Sequence, residues 1–203
     1  MTLVSEHIES DTRERILAVA ERLFRQIGYQ KTTVADIAKE LRMSPANVYR
    51  FFESKKAIHE GVARALMGEV EVAAQQIAQT PGPAAPRLRE LMKTISRMNT
   101  ERYVGDSKLH DMVQIAMQED WDVCVSHMET IGAAVGQVIG QGVASGEFDV
   151  PDVRLAAMCV CSAFVRFVHP QMIAESATKP GPTIDQMIDF IIAAMSPRGN
   201  RTN

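Results

Sequence analysis

TVADIAKELRMSPANVYRFFESK, residues 33–55, decides the fold, because it reads as two short helices joined by a tight turn. Val34, Ile37, Ala38 and Leu41 recur at the three- and four-residue spacings that put side chains on one face of a helix. The second helix has a defined start: Ser44 is a good N-cap and Pro45 stands at the first helical position, where a missing N–H is harmless. Val48 and Phe52 then point inward, which leaves Ala46, Asn47, Tyr49 and Arg50 on the other side. A small apolar anchor beneath a row of short polar groups is the pattern of a helix-turn-helix, whose second helix meets base edges and phosphates in the major groove.

The flanks extend the pattern. An amphipathic helix over 11–27 buries Ile16, Leu17, Ala20, Leu23, Phe24 and Ile27, and Gly28 closes it as a left-handed C-cap. Thr32 and Thr33 precede the second helix; a threonine there caps the helix, and its hydroxyl and the neighbouring amides can also hold a phosphate.

From Asp11 to Leu66 the chain resembles the tetracycline-repressor (TetR) family of bacterial regulators. The elements that carry the likeness come in order: a helix ending in Gly28-Tyr29, then Thr32-Thr33, then the DIA of the second helix, then S-x-x-N-V-Y-x-F-F-x-S-K from Ser44 to Lys55. Two positions depart from the family pattern. Ala46 stands where glycine is frequent, and Lys56 where an acidic residue is usual. The resemblance implies a homodimer whose recognition helices enter successive major grooves of a palindromic operator, with a larger C-terminal helical domain that senses a small molecule. It also implies roles: Thr33, Tyr49 and Lys55 on phosphates; Pro45, Ala46 and Asn47 at base edges; Ser44 as cap and backbone contact; Arg50 in either role.

Bulk properties fit a locally, not globally, basic chain. Its 203 residues carry 22 Lys and Arg against 25 Asp and Glu, a net charge of −3, but from Lys31 to Lys56 six basic residues face three acidic ones. Three cysteines, Cys124, Cys159 and Cys161, have no CxxC spacing, so neither a disulfide framework nor a zinc site is indicated. No run approaches the roughly 18–20 apolar residues that span a bilayer, and the expected location is the cytoplasm, with no membrane partner. Residues 1–10 contain Glu6 and Glu9 and no Lys or Arg, so a flexible polar arm is expected there.

Further along, helices are expected over 55–79, 88–102, 108–117, 119–144, 153–173 and 183–195, separated by the proline-rich 80–86, by Gly105-Asp106-Ser107, by 146–152 and by the KPGP at 179–182. The fold class is all-α: a helix-turn-helix DNA-binding domain at 9–70 and a helical ligand-binding and dimerisation domain at 71–203. Helix 55–79 is too long to belong only to the first and is the natural mechanical link. The last two helices are apolar around much of their circumference, so they must bury more than one face. A four-helix bundle with a second subunit would do so, with Ala156, Ala163, Phe167, Met187, Ile188 and Ile191 at the interface.

Methionines are concentrated in the second domain. Met112, Met117 and Met128, with Trp121 and Phe164, are candidate walls of an apolar effector pocket, although methionine stripes are more often plain core. Such walls suit a mainly hydrophobic or aromatic effector, and the acidic neighbours of Trp121 would admit a cationic one. His110, His127 and His169 lack the spacing of a metal pair, and Cys159 and Cys161 point about 200° apart on a helix. No metal and no cofactor are expected. Without a phosphate loop, HExxH or Gly-x-Ser-x-Gly elbow, nothing supports an enzyme. The expected function is a ligand-released repressor; the alternative is a helical ligand- or partner-binding protein of the same fold that does not bind an operator.

Overall fold

A computed structural model describes residues 2–103, 108, 115, 122–176 and 179–197. Among these residues all regular structure is helical: α1 Thr2–Ile27, α2 Val34–Glu40, α3 Pro45–Tyr49, α4 Lys55–Gln79, α5 Ala84–Tyr103, α6 Asp122–Ser145, α7 Val153–Val168, α8 Pro170–Ser176 and α9 Ile184–Met195. None is long and apolar enough to cross a membrane.

The chain divides into two compact units, one of residues 1–67 and 105–124, the other of 68–104 and 125–203. A single boundary near residue 70 was expected, whereas the described residues Lys108, Ile115 and Asp122–Cys124 group with the first unit. There Lys108 Nζ donates to the Gln26 carbonyl at 2.6 Å, and Ile115 packs with Ala63, Met67, Val123 and Cys124.

In the first unit α1, α2, α3 and the start of α4 enclose Ile16, Phe24, Ile37, Val48 and Ile58, each no more than 1% exposed. Gly61 lets α4 approach α1: a Cβ there would lie 2.7 Å from Leu17 Cδ2. Arg13 lies 4.4 Å over the Phe52 ring and donates to the Phe51 carbonyl, while Arg22 pairs with Glu40 at 2.7 Å, so α1 is tied to both ends of the two-helix motif. The expected flexible arm at 1–10 is instead a continuation of α1 back to Thr2. No proline and no glycine occurs in that stretch to stop the helix.

The second unit packs the end of α4 with α5 to α9 around Leu88, Leu91, Val135, Val138, Ile139, Phe164 and Ile188. Gly136 and Gly140 on α6 face Ala157 and Val153 of α7, so the two helices approach closely. Arg89 pairs with Asp185 at 3.2 Å and with Asp189, and Lys93 with Asp185 at 2.8 Å, which clamps α5 to α9. The buried Arg87 fills the α4–α5 corner and donates to the Ala78, Thr80 and Pro83 carbonyls. Glu147 accepts from the amides of Ala84 and Ala85 at 2.8 and 3.2 Å and so caps α5, and these bonds hold its carboxyl below the ordinary range.

The helix expected over 153–173 is two helices. Pro170 has no N–H to continue the ladder and biases the residue before it toward extended backbone, and His169 sits at φ −77, ψ 126. Of the helix expected at 108–117, Lys108 and Ile115 are among the described residues, and both are helical; the rest of it lies outside them.

Gly142 is enclosed: a Cβ would overlap the Phe148 ring and lie 2.8 Å from Ala84 Cβ. Because Phe148 is 3% exposed and its N–H is bonded to the Gly142 carbonyl, the ring has nowhere to move. Gly142→Ala should therefore destabilise the second unit by about 1–3 kcal/mol in urea unfolding; unchanged stability would show that the corner can relax.

Candidate nucleic-acid interface

Thr33 is a capping box in atomic detail. Its hydroxyl accepts from the Asp36 amide at 3.1 Å and donates to the Asp36 carboxylate at 2.7 Å, which in turn accepts from the Thr33 amide at 2.9 Å. These bonds, the side-chain one first, hold the Asp36 carboxyl below its usual value. The capping role read from the sequence is thus realised, and any phosphate at Thr33 would compete with Asp36 for the hydroxyl proton.

The second helix is short. Ser44, in extended backbone, accepts from the Asn47 amide at 3.2 Å, Pro45 opens the helix, and Val48 is 0% exposed. With the helix anchored through Val48, Pro45, Ala46 and Arg50 are exposed and Asn47 is half-buried. Tyr49 is 50% exposed, a large aromatic side chain presented to solvent by a five-residue helix.

Lys55, at the start of α4, is held against the turn that follows α1. Its ammonium lies 4.3 Å over the Tyr29 ring and donates to the Gln30 carbonyl at 3.3 Å; burial lowers its pKa. The Tyr29 ring is stacked on His59 at 4.1 Å between centroids, and Phe24 meets both rings edge-on at 5.4 and 5.5 Å. His59 is fully buried. Burial first, and the nearby Lys55 charge second, push its pKa down to about 3. Tyr29 was legible as half of the Gly-Tyr pair, but a lone histidine in an apolar helical stripe carries no sequence signal for this role.

The other expected sites are scattered. Met112, Met117 and Trp121 lie outside the described residues. Met128 is 61% exposed, while Phe164 is inside the core beside Phe167, so one candidate pocket wall is at the surface and the other in the interior. Of the residues expected between subunits, Ala156, Ala163, Phe167 and Met187 are half-buried against the second unit's core, and Ile188 and Ile191 are part of that core at 1% and 7% exposure. The apolar side chains that α7 and α9 leave in water are different ones: Leu155 at 56%, Met158 at 58%, Val165 and, most of all, Phe190 at 71%.

Comparison with known proteins follows this division. A family model described as "Bacterial regulatory proteins, tetR family" matches residues 16–62, and one described as "Tetracyclin repressor-like, C-terminal domain" matches 84–187, about half of the chain. The HTH-type transcriptional regulator YhgD of Bacillus subtilis is 20% identical over 172 residues, which is 82% of this chain and 90% of that protein. The biofilm operon HTH-type negative transcriptional regulator IcaR of Staphylococcus aureus is 42% identical over 48 residues, 24% of this chain and 26% of IcaR. The structure of the transcriptional regulator FadR from Bacillus subtilis in complex with stearoyl-CoA superposes with a TM-score of 0.65 at 18% identity, over 90% of this chain and 98% of that one.

His59 gives the first unit a pH signature. Its folded pKa of about 3 lies below the ordinary 6.5, so the stability it contributes is fully present above pH 6.5 and drains away as pH falls toward 3. Between pH 6.5 and 5 the wild-type protein should lose about 1.5 kcal/mol more than His59→Phe, the slope rising from half of 1.36 kcal/mol per pH unit toward the full value. Parallel pH profiles for the two proteins in urea unfolding would contradict the placement of the ring.

Proposed function

Since the chain belongs to the TetR family of bacterial transcriptional regulators, we propose that it is a repressor that binds a palindromic operator as a homodimer and is released by a small apolar effector. The observation that carries this reading is the anchoring of α3: Val48 buried, Ser44 capping, and Pro45, Ala46, Asn47, Tyr49 and Arg50 turned outward. Pro45, Ala46 and Asn47 face base edges; Thr33, Tyr49 and Lys55 position the duplex through phosphates; Ser44 caps α3 and touches the DNA backbone; Arg50 serves either purpose. That IcaR is a negative regulator supports repression over activation.

Two protomers meet through α7 and α9. Leu155, Met158 and Val165 recur at helical spacing along one stripe of α7, and Phe190 lies exposed on α9. Exposed apolar side chains gathered on one face, rather than scattered singly, support an interaction surface there. The effector is taken up in the C-terminal domain, and the stearoyl-CoA bound to FadR supports a hydrophobic one. Helix α4 supplies residues to both units, so it is the element through which an effector would act. An effector releases DNA only by binding the released conformation better, with a typical coupling of about 1–3 kcal/mol. The same fold without operator binding is the second reading, and it predicts no footprint on any promoter DNA.

Asn47 can pair its side-chain amide with a base edge for about 1–3 kcal/mol of discrimination. Asn47→Ala should therefore relax sequence preference, whereas Lys55→Ala should weaken binding to all sequences and shallow the salt slope by about one unit. A salt titration in which Lys55→Ala changes neither affinity nor slope would refute this docking.

Phe190→Asp should yield monomers in analytical ultracentrifugation without unfolding them, because the side chain is exposed in the protomer. Ile188→Asp should unfold the second unit instead, since it places an unpaired charge in the core. An undiminished dimer in Phe190→Asp would move the interface elsewhere.

A further inference from the structure

Arg42, in the turn between α2 and α3, has φ 54 and is the one non-glycine residue with positive φ among the described residues. Its amide donates to the Lys39 carbonyl at 3.1 Å and that of Met43 to the Ala38 carbonyl at 2.8 Å, the paired bonds by which a helix closes on a left-handed residue. Glycine adopts this conformation without penalty, whereas the Cβ of any other residue crowds the neighbouring carbonyl. The chain uses glycine for positive φ at Gly28, Gly82 and Gly146. At residue 42 it keeps a long cationic side chain that the backbone disfavours, and an observed strain of this kind asks for a function.

The surroundings supply no internal use for that charge. Arg42 is exposed, and no hydrogen bond or ion pair engages its guanidinium among the described residues. The nearest acid in the chain, Glu40, is taken by Arg22. Lys39, in the last turn of α2, already provides the cation that complements the helix's C-terminal end. Arg42 stands two residues before Ser44, the cap of the helix that enters the groove.

We propose that Arg42 is a further DNA-backbone contact, its guanidinium engaging one phosphate that borders the groove occupied by α3. The proposal rests on the operator-binding reading. A planar guanidinium suits phosphate through paired hydrogen bonds, and such a contact adds affinity and salt dependence without adding sequence preference.

The test is a binding titration from 50 to 200 mM salt on two duplexes of equal length, one from the region upstream of the gene itself and one unrelated. Wild type is compared with Arg42→Gln, Arg42→Gly and Arg42→Lys. Loss of one phosphate contact should reduce the salt slope by ~0.9 in the Gln and Gly variants, so that wild type loses roughly 3.5-fold more affinity than either across that range. Arg42→Lys should keep most of the slope, and the affinity ratio between the two duplexes should hold in all variants. Arg42→Gly should also raise the thermal unfolding midpoint by about 1–3 °C while it weakens binding, opposite signs that a purely structural role does not produce. Wild-type slopes in both the Gln and Gly variants, with wild-type binding intact, would overturn the proposal alone. No binding of either duplex by the wild-type protein would overturn the operator-binding reading and the proposal with it.

Discussion

A five-residue helix does not hold itself together in water, because the first hydrogen-bonded turn fixes more backbone than its bonds repay. The helix α3 therefore exists only through what surrounds it: Val48 buried beneath it, Ser44 closing its first turn, and the paired turn bonds at Arg42 and Met43 setting the angle at which it leaves α2. Every outward side chain, from Pro45 to Arg50, inherits its direction from that one anchor. This is why the first unit spends so much of its structure on fixing α2 and α3, with Arg22 on Glu40 at one side and Arg13 on Phe51 and Phe52 at the other.

The same logic governs Lys55. A lysine on a free helix end samples many rotamers, but this one rests on Tyr29, which rests on His59 and Phe24. The stack fixes the ammonium in the protein alone, so the phosphate contact proposed for Lys55 would require less ordering on binding. It also makes a buried neutral histidine part of the support for a surface cation. In the second unit the organising contacts are of another kind: small residues of α6 against α7, the Arg87 corner and the α5–α9 ion pairs. These make a firm scaffold that leaves Phe190 and the Leu155–Val165 stripe outside it.

The helix-turn-helix was legible in the sequence because its chemistry is local: Thr33, Ser44 and Pro45 are punctuation that acts within three residues, and Val48 sits at the right interval. What the sequence hid depends on neighbours far along the chain. Which face of α9 turns inward cannot be read from IDQMIDFIIAAM, where apolar residues occupy most of the circumference; Ile188 and Ile191 went into the core and Phe190 into water. The break at Pro170 was obscured because the apolar pattern runs on through Met172 and Ile173. Arg42 left a faint trace, since the turn between two helices lacks the glycine or asparagine such a turn prefers. His59 left none.

The central claim is that α3 lies in the major groove of operator DNA and does so twice, once per protomer. Methylation interference on the DNA upstream of the gene tests it most directly, because methylation at guanine N7 blocks the major groove and leaves the phosphates untouched. The account predicts two symmetric clusters of interfering guanines about one helical turn, or a multiple of it, apart. Sequence-specific binding that is indifferent to major-groove methylation would contradict it.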